Sequence, residues 1–524
     1  MRIRNLLSAT AIIALATSAP AFAQDVDLTS ESIRIQTDDC AFNACANLSD
    51  LNAEDGLAML KSMAANRSAA LAAKAEKADM KNNKAAKKKN NKGRGLAIGQ
   101  QNNDPQVVFL QFGSADPTFF ASQGGQPIAG GVFPDYIYTQ ADRDFIQERL
   151  EADYAEYNFE FTQVQPSLGD FSTIRIGDND ANPIDLATGI LFGRADNIDF
   201  GNDDRTDSAF ADASFWQLLA ELDANFGTQN LANFLGLPGP LTLEEVEEVR
   251  QIAVVNQSAN TAGHELGHIL GLRHHDSFGA PGDGLPAART PGEFIPLGET
   301  DQNALETLTH VMASGASAGL ALNSPPFVDR FFSERSAVKL AINERTRKID
   351  ESVTQRNGGK LTLNKVKGAN PLLDGVNAGG KLDIRAALVS GSITELEEAD
   401  SYFISGDAGD IFNSEIISFS DANVGDFVVT KLTLKLKQSD GSYAEVASNQ
   451  RTFEGFEPLV FDFTLPEDGE YMIEVSSPDL VPVGRFADGT PAFASLAANG
   501  LNSWRTGDYE MLAYVVEGKP GGGK

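Results

Sequence analysis

His264 and His268 stand four residues apart, and Glu265 follows the first of them directly. On a helix this spacing puts both imidazoles on one face, about 6 Å apart along the axis. Two nitrogens so placed can share one Zn²⁺ at roughly 2.0–2.1 Å each. Glu265 can reach a water held by that metal without being a ligand itself, which is where a general base belongs. Gly271 comes three residues after His268. Glycine takes the left-handed conformation that ends a helix without strain. The chain can turn back there and bring in His274 as a third nitrogen. Three protein ligands leave a fourth position for water, the layout of a catalytic zinc site. His275 is adjacent, but the spacing from His268 favours His274. Asp276 could hydrogen-bond a ligand imidazole or cap the turn. Residues 261–276 hold four of the five histidines in the chain. A bare H-E-x-x-H also arises by chance in amphipathic helices; Gly271 and His274 at these offsets argue against chance.

The run His264-Glu265-Leu266-Gly267-His268-Ile269-Leu270-Gly271-Leu272-Arg273-His274 resembles the metzincin signature H-E-x-x-H-x-x-G-x-x-H. Its wording is most similar to the matrixin branch. The resemblance implies a zinc endopeptidase in which His264, His268 and His274 hold the metal and Glu265 is the base. It also implies a methionine turn beneath the metal. Thr309-His310-Val311-Met312-Ala313-Ser314-Gly315 matches it, with Met312 as the thioether floor. Without the upstream motif Met312 would read as an ordinary core methionine. Ser314 stands where astacins and serralysins carry tyrosine, which counts against those branches. Gly-Gly-x-Gly-x-Asp repeats are absent, which also counts against serralysins. His310 reads either as structural support or as a partner behind a metal ligand.

These residues need a scaffold. Val107–Phe112 reads as a buried strand, Tyr138–Tyr154 as a helix, Tyr157–Val164 and Phe171–Ile176 as two further strands. That order resembles the opening of the metzincin upper subdomain. Gly189–Phe192 is expected as an edge strand, of the kind that pairs with extended substrate in metzincins. Ser208–Phe226 and Leu241–Val255 read as helices, and the active-site helix as Gln257–Leu270. Glu334–Ile342 is a closing helix with Ser333 as its cap. Gly279–Gly298 reads as a Gly/Pro-rich excursion shaping the cleft. The aspartate-rich stretch 178–212 suits either Ca²⁺ or a solvated acidic loop, and no ligand spacing separates the two.

The chain of 524 residues is too long for one ordinary core. Its 42 basic and 73 acidic side chains give a net charge of −31, which repels nucleic acid and anionic membranes. Met1–Ala23 reads as a secretory signal peptide: Arg2 and Arg4, an apolar run too short for a bilayer, then Ala21-Phe22-Ala23. Residues 24–100 read as a propeptide ending in a basic, disordered run from Lys81 to Arg94. Cys40 and Cys45 are the chain's two cysteines, and export favours a disulfide between them. A zinc-blocking thiol, as matrixin zymogens use, is the alternative, although the usual flanking sequence is missing.

The peptidase is expected at 101–350, a linker at 351–381, an antiparallel β-sandwich at 382–518 and a flexible tail at 519–524. Leu432, Leu434 and Leu436 alternate with polar residues, and Leu459, Phe461, Phe463 and Leu465 recur at every second position, with Asp-Gly turns at 440 and 468. Ala399-Asp400-Ser401-Tyr402-Phe403 and Leu465-Pro466-Glu467-Asp468-Gly469-Glu470-Tyr471 are similar to the pre-peptidase C-terminal domain of secreted bacterial peptidases.

The expected whole is therefore an α/β (α+β) metzincin-like domain with a twisted mixed sheet and an active-site helix, followed by an all-β sandwich. The expected activity is that of a secreted bacterial zinc endopeptidase made as a zymogen. Its partners would be protein or peptide substrates, with a matrix or glycan contact through the sandwich and no membrane anchor. The rival expectation is an extracellular adhesin with a catalytically weak zinc domain; the intact Glu265 argues against it, since a structural site needs no base.

Overall fold

The computed structural model describes residues 105–517 except 114–117, 124–125, 135, 156, 178–183, 186–191, 227–228, 230, 232–240, 283–309, 314–329, 367–382, 419–427, 453–455 and 486–490. The signal peptide, the basic run, Cys40, Cys45, Ser314, most of the Gly279–Gly298 excursion and the C-terminal tail lie outside the described residues. Among the described residues no helix is long and apolar enough to cross a membrane.

The protein is mixed α/β. Strands β1 (Gln106–Phe112), β4 (Phe159–Thr162), β5 (Phe171–Ile176), β7 (Gly193–Ala195) and β8 (Ser208–Ala211) form a sheet in the order β4-β1-β5-β8-β7. Only β7 runs antiparallel to its neighbour. A separate small sheet, unforeseen from sequence, joins β2 (Thr118–Gln123), β3 (Gln126–Pro134) and β6 (Ile184–Asp185). Helix α1 (Gln140–Asp153) opens on a capping box between Thr139 and Asp142. Its Leu150 packs toward Gly263, and the Tyr154 hydroxyl donates to the Gly263 carbonyl at 2.7 Å. The helix that carries His264 and His268 is thereby seated on α1.

Two sequence expectations change here. Ser208–Ala211 is a strand rather than the start of a helix, and α2 spans Ser214–Phe226. Four small and apolar residues fit either state; pairing with β5 inside the sheet decides for the strand. The stretches at Leu241–Val255 and Gln257–Leu270 are one helix, α3 (Leu243–Ile269). The polar residues just past the join are satisfied inside the protein. Ser258 meets the Tyr138 hydroxyl at 2.7 Å and bonds back to the Val254 carbonyl, and Gln257 donates to Thr261. Thr242 and Glu245 cap its start.

Helix α4 (Glu334–Arg345) follows Ser333, whose side chain accepts from the Ser336 amide. The chain then enters the C-terminal sandwich at once. Strand β9 (Lys348–Asp350) runs parallel to β11 (Ile384–Ile393), preceded there by helix α5 (Glu351–Arg356) and strand β10 (Asn364–Lys365). The linker expected at 351–381 is therefore structured up to Val366. Its Gly/Asn/Lys-rich composition hides Leu361, Leu363 and Val366, which pack into the sandwich.

One face of the sandwich has β13 (Ile411–Ile417), β16 (Leu459–Thr464) and β20 (Gly507–Val516), in the order β10-β11-β20-β13-β16. The other has β12 (Ala399–Gly406), β14 (Lys431–Lys437), β15 (Tyr443–Asn449) and β17 (Gly469–Ser476), in the order β12-β17-β14-β15. A hairpin of β18 (Leu480–Arg485) and β19 (Pro491–Ser495) stands apart. Beyond its own core the sandwich shares a second apolar cluster with the N-terminal half. Ile198, Phe200, Val338 and Ile342 pack there with Ile384, Leu388, Leu512 and Val516.

Asp400 gives the sandwich a pH dependence. It accepts from the Tyr509 hydroxyl at 2.7 Å, which in turn lies 2.5 Å from the Tyr402 hydroxyl. Burial pushes its carboxyl up to about 7, with Glu351 and Glu398 adding to the effect and the Tyr509 bond opposing it. The folded state thus keeps a proton that the unfolded chain releases near the ordinary aspartate value of about 3.9. Stability should fall as pH rises from about 4 to about 7 and level off above. Urea unfolding of Asp400→Asn should show that limb flattened; an unchanged pH profile would contradict the assignment.

Candidate metal centre

Helix α3 ends in a left-handed reversal that positions two of the three histidines. Gly271 has φ +83°, the Leu272 amide bonds to the Gly267 carbonyl at 2.9 Å, and the Gly271 amide to the His268 carbonyl at 2.8 Å. A side chain at 271 would meet the Asn343 amide and the Asp199 carbonyl. The reversal turns the Leu272 carbonyl toward His268, whose Nδ1 sits 2.8 Å from it. His264 Nδ1 lies 2.7 Å from the Val311 carbonyl. The Val311 amide is itself held by the Phe331 carbonyl. Carbonyls only accept, so both Nδ1 atoms carry the proton and both Nε2 lone pairs face inward. After Arg273, His274 opens a 3₁₀ turn (His274–Ser277) that brings its ring back to the other two.

The three rings converge. His264 Nε2 lies 3.0 Å from His268 Nε2 and 3.3 Å from His274 Nε2. Nitrogens bound tetrahedrally to zinc at 2.0–2.1 Å would stand about 3.3–3.4 Å apart, so the donor set fits. Two inward lone pairs at 3.0 Å repel unless a cation lies between them. Burial, with His268 and His274 alongside, holds His264 well below the usual imidazole range, which keeps it a neutral donor. Glu265 is wholly buried beside Thr261, and the Gly193 backbone of β7 closes over its carboxylate. Met312 is buried with its sulfur against Gly267, one residue before His268. His310 hydrogen-bonds the Ser277 carbonyl through Nδ1, tying the Met312 segment to the His274 turn.

His275 and Asp276 face away from this group. Asp276 caps its own turn by accepting from the Arg273 amide at 2.7 Å, and its carboxylate pairs with Lys339 at 2.6 Å. Of the two roles open to it in the sequence, it takes the capping one. His275 Nε2 lies 3.2 Å from Glu415. His275, Asp276 and Glu415 form a second group with metal-ligand geometry. Lys339 Nζ, 2.6 Å from Asp276 and 2.8 Å from Glu415, already supplies the cation there.

The expected edge strand at Gly189–Phe192 falls largely outside the described residues; the edge strand present is β7. Described aspartates of the 178–212 stretch serve local bonds: Asp212 caps Ser214, Asp207 accepts from Asn197, and Asp199 and Asp203 pair with Lys348. None of them belongs to a candidate metal group among the described residues. Sequence reasoning missed Lys339, Glu415 and Gly193.

No family model and no curated protein matches the sequence. Among solved structures, one likeness is to the pre-peptidase C-terminal domain of a collagenase from Bacillus anthracis, at 14% identity and a TM-score of 0.16, covering 24% of this chain and 87% of that one. Another is to a periplasmic inhibitor of g-type lysozyme from Salmonella Typhimurium, at 12% identity and a TM-score of 0.15, covering 25% and 90%. A third is to the Aeromonas hydrophila inhibitor of the same kind, at 15% identity and a TM-score of 0.15, covering 25% and 84%. Scores this low assign no fold.

Proposed function

We propose that this protein is a secreted, metzincin-like zinc endopeptidase that hydrolyses peptide bonds in extracellular proteins. The observation that carries the reading is the convergence of three buried imidazole Nε2 atoms, with Glu265 next in sequence to the first of them. His264, His268 and His274 would hold the metal. Zinc bound there supplies Lewis acidity, which acidifies water and polarises a carbonyl. Glu265 takes the proton of the attacking water and hands it to the leaving amine. Its burial keeps bulk water from competing for that proton. Strand β7 offers substrate an edge to pair with in extended form. The sandwich is read as a pre-peptidase C-terminal-like module.

The test is casein or gelatin cleavage by the purified protein together with metal analysis. One zinc per chain is expected, with cleavage lost on treatment with 1,10-phenanthroline and restored by added zinc. Cleavage that persists in zinc-free protein would refute the reading. Bound zinc with no cleavage of any protein offered would favour a binding protein instead.

A further inference from the structure

We propose that Glu415, on β13 of the sandwich, is a positioning residue for His274, so that the metal centre is complete only where the sandwich is docked. The inference rests on the zinc reading above. His274 sits on a single 3₁₀ turn, which His310 holds at the Ser277 carbonyl and Ser333 and Ser336 hold at the Asp276 carbonyl. Glu415 lies beside the residues on both sides of it and adds a hold from the sandwich. One carboxylate oxygen lies 3.2 Å from His275 Nε2 and 4.0 Å from Arg273, and the other lies 2.8 Å from Lys339. Lys339 in turn holds Asp276, the cap of the same turn.

Neighbouring residues of the sandwich extend the grip. Glu457 pairs with Arg273 at 3.2 Å. Arg335 stacks over Phe461 at 4.0 Å, pairs with Asp462 at 2.7 Å, and donates to the Phe278 carbonyl just past the turn. Arg273, Lys339, Asp276 and Glu415 are all at most 2% exposed. In so dry a place water cannot replace a lost partner, so each charge depends on the others. Without Glu415, two cations would face the back of a metal site with one fewer anion between them.

The test compares Glu415→Gln and Glu415→Ala with Glu474→Gln, which removes an ion pair from the opposite sheet. Zinc affinity is read by chelator competition, and ligand geometry by the visible bands of the Co²⁺-loaded protein. Glu415→Gln should weaken zinc on the order of 10- to 100-fold and shift the cobalt bands, with Glu474→Gln unchanged. Wild-type affinity and bands in the Glu415 variants would overturn the proposal. A second measurement needs no variant: hydrogen exchange across residues 274–278 with and without zinc. The sandwich as holder predicts similar protection in both forms, whereas loss of protection on zinc removal would mean that the metal holds the turn. A wild-type protein that binds neither zinc nor cobalt would sink the zinc reading itself, an outcome distinct from either result above.

Discussion

Glu265→Ala should keep one zinc per chain and lose turnover, with kcat/KM falling about 10³-fold or more. The metal group is made of three imidazoles, and Glu265 is not among them. The carbonyls that orient His264 and His268 belong to Val311 and Leu272, which the substitution leaves alone. Activity and metal content must be measured on the same preparation, because zinc loss alone would also abolish cleavage. Comparable turnover by the zinc-loaded variant would remove Glu265 from the role of base. Glu265→Gln makes the comparison stricter: the amide has nearly the same shape but cannot accept the proton.

The triad was legible in the sequence because its geometry is local. His264 and His268 share one helix, and Gly271 reverses the chain within a few residues, so spacing alone brings the three rings together. What supports the triad was not legible. Val311 reaches His264 across 47 residues, and Glu415 reaches His275 across some 140 positions. Nothing in a charged residue's neighbours announces which distant cation it will meet. Glu415 follows Asn413 and Ser414 in β13 and reads as one more polar residue until the fold sets Lys339 beside it.

The same distinction separates the elements read correctly from those that were not. Periodicity found α1, β14 and β17, where one face is apolar and the other wetter. It failed at Ser208–Ala211, where the sheet buries nearly every residue. The domain boundary failed for a third reason. Composition suggested a linker after residue 350, but Ile198, Phe200 and Val338 lie in one cluster with Leu388 and Leu512. A shared core leaves no compositional gap, because the residues that join the two halves are the same kinds that fill each of them.

Gly193→Ala should lower kcat on the order of 100-fold with zinc content unchanged. A Cβ at that position would stand 2.5 Å from Glu265 Oε1, 2.5 Å from Thr261 Cγ2 and 2.8 Å from Glu265 Cγ. Thr261 is β-branched and stiff, so it gives little room. Two ways of yielding remain. Strand β7 can lift, but it is paired with β8 through Gly193–Ala211 and Arg194–Phe210, and the Asp212 amide bonds to the Phe192 carbonyl. The Glu265 carboxylate can swing aside, which displaces the base from its proton. A displacement of about 1 Å is enough for the predicted loss, and neither route touches a zinc ligand. The two routes separate kinetically. A lifted edge strand raises KM for extended peptides, whereas a displaced base lowers kcat at unchanged KM. Full activity with normal KM would mean that β7 does not close over Glu265 during turnover.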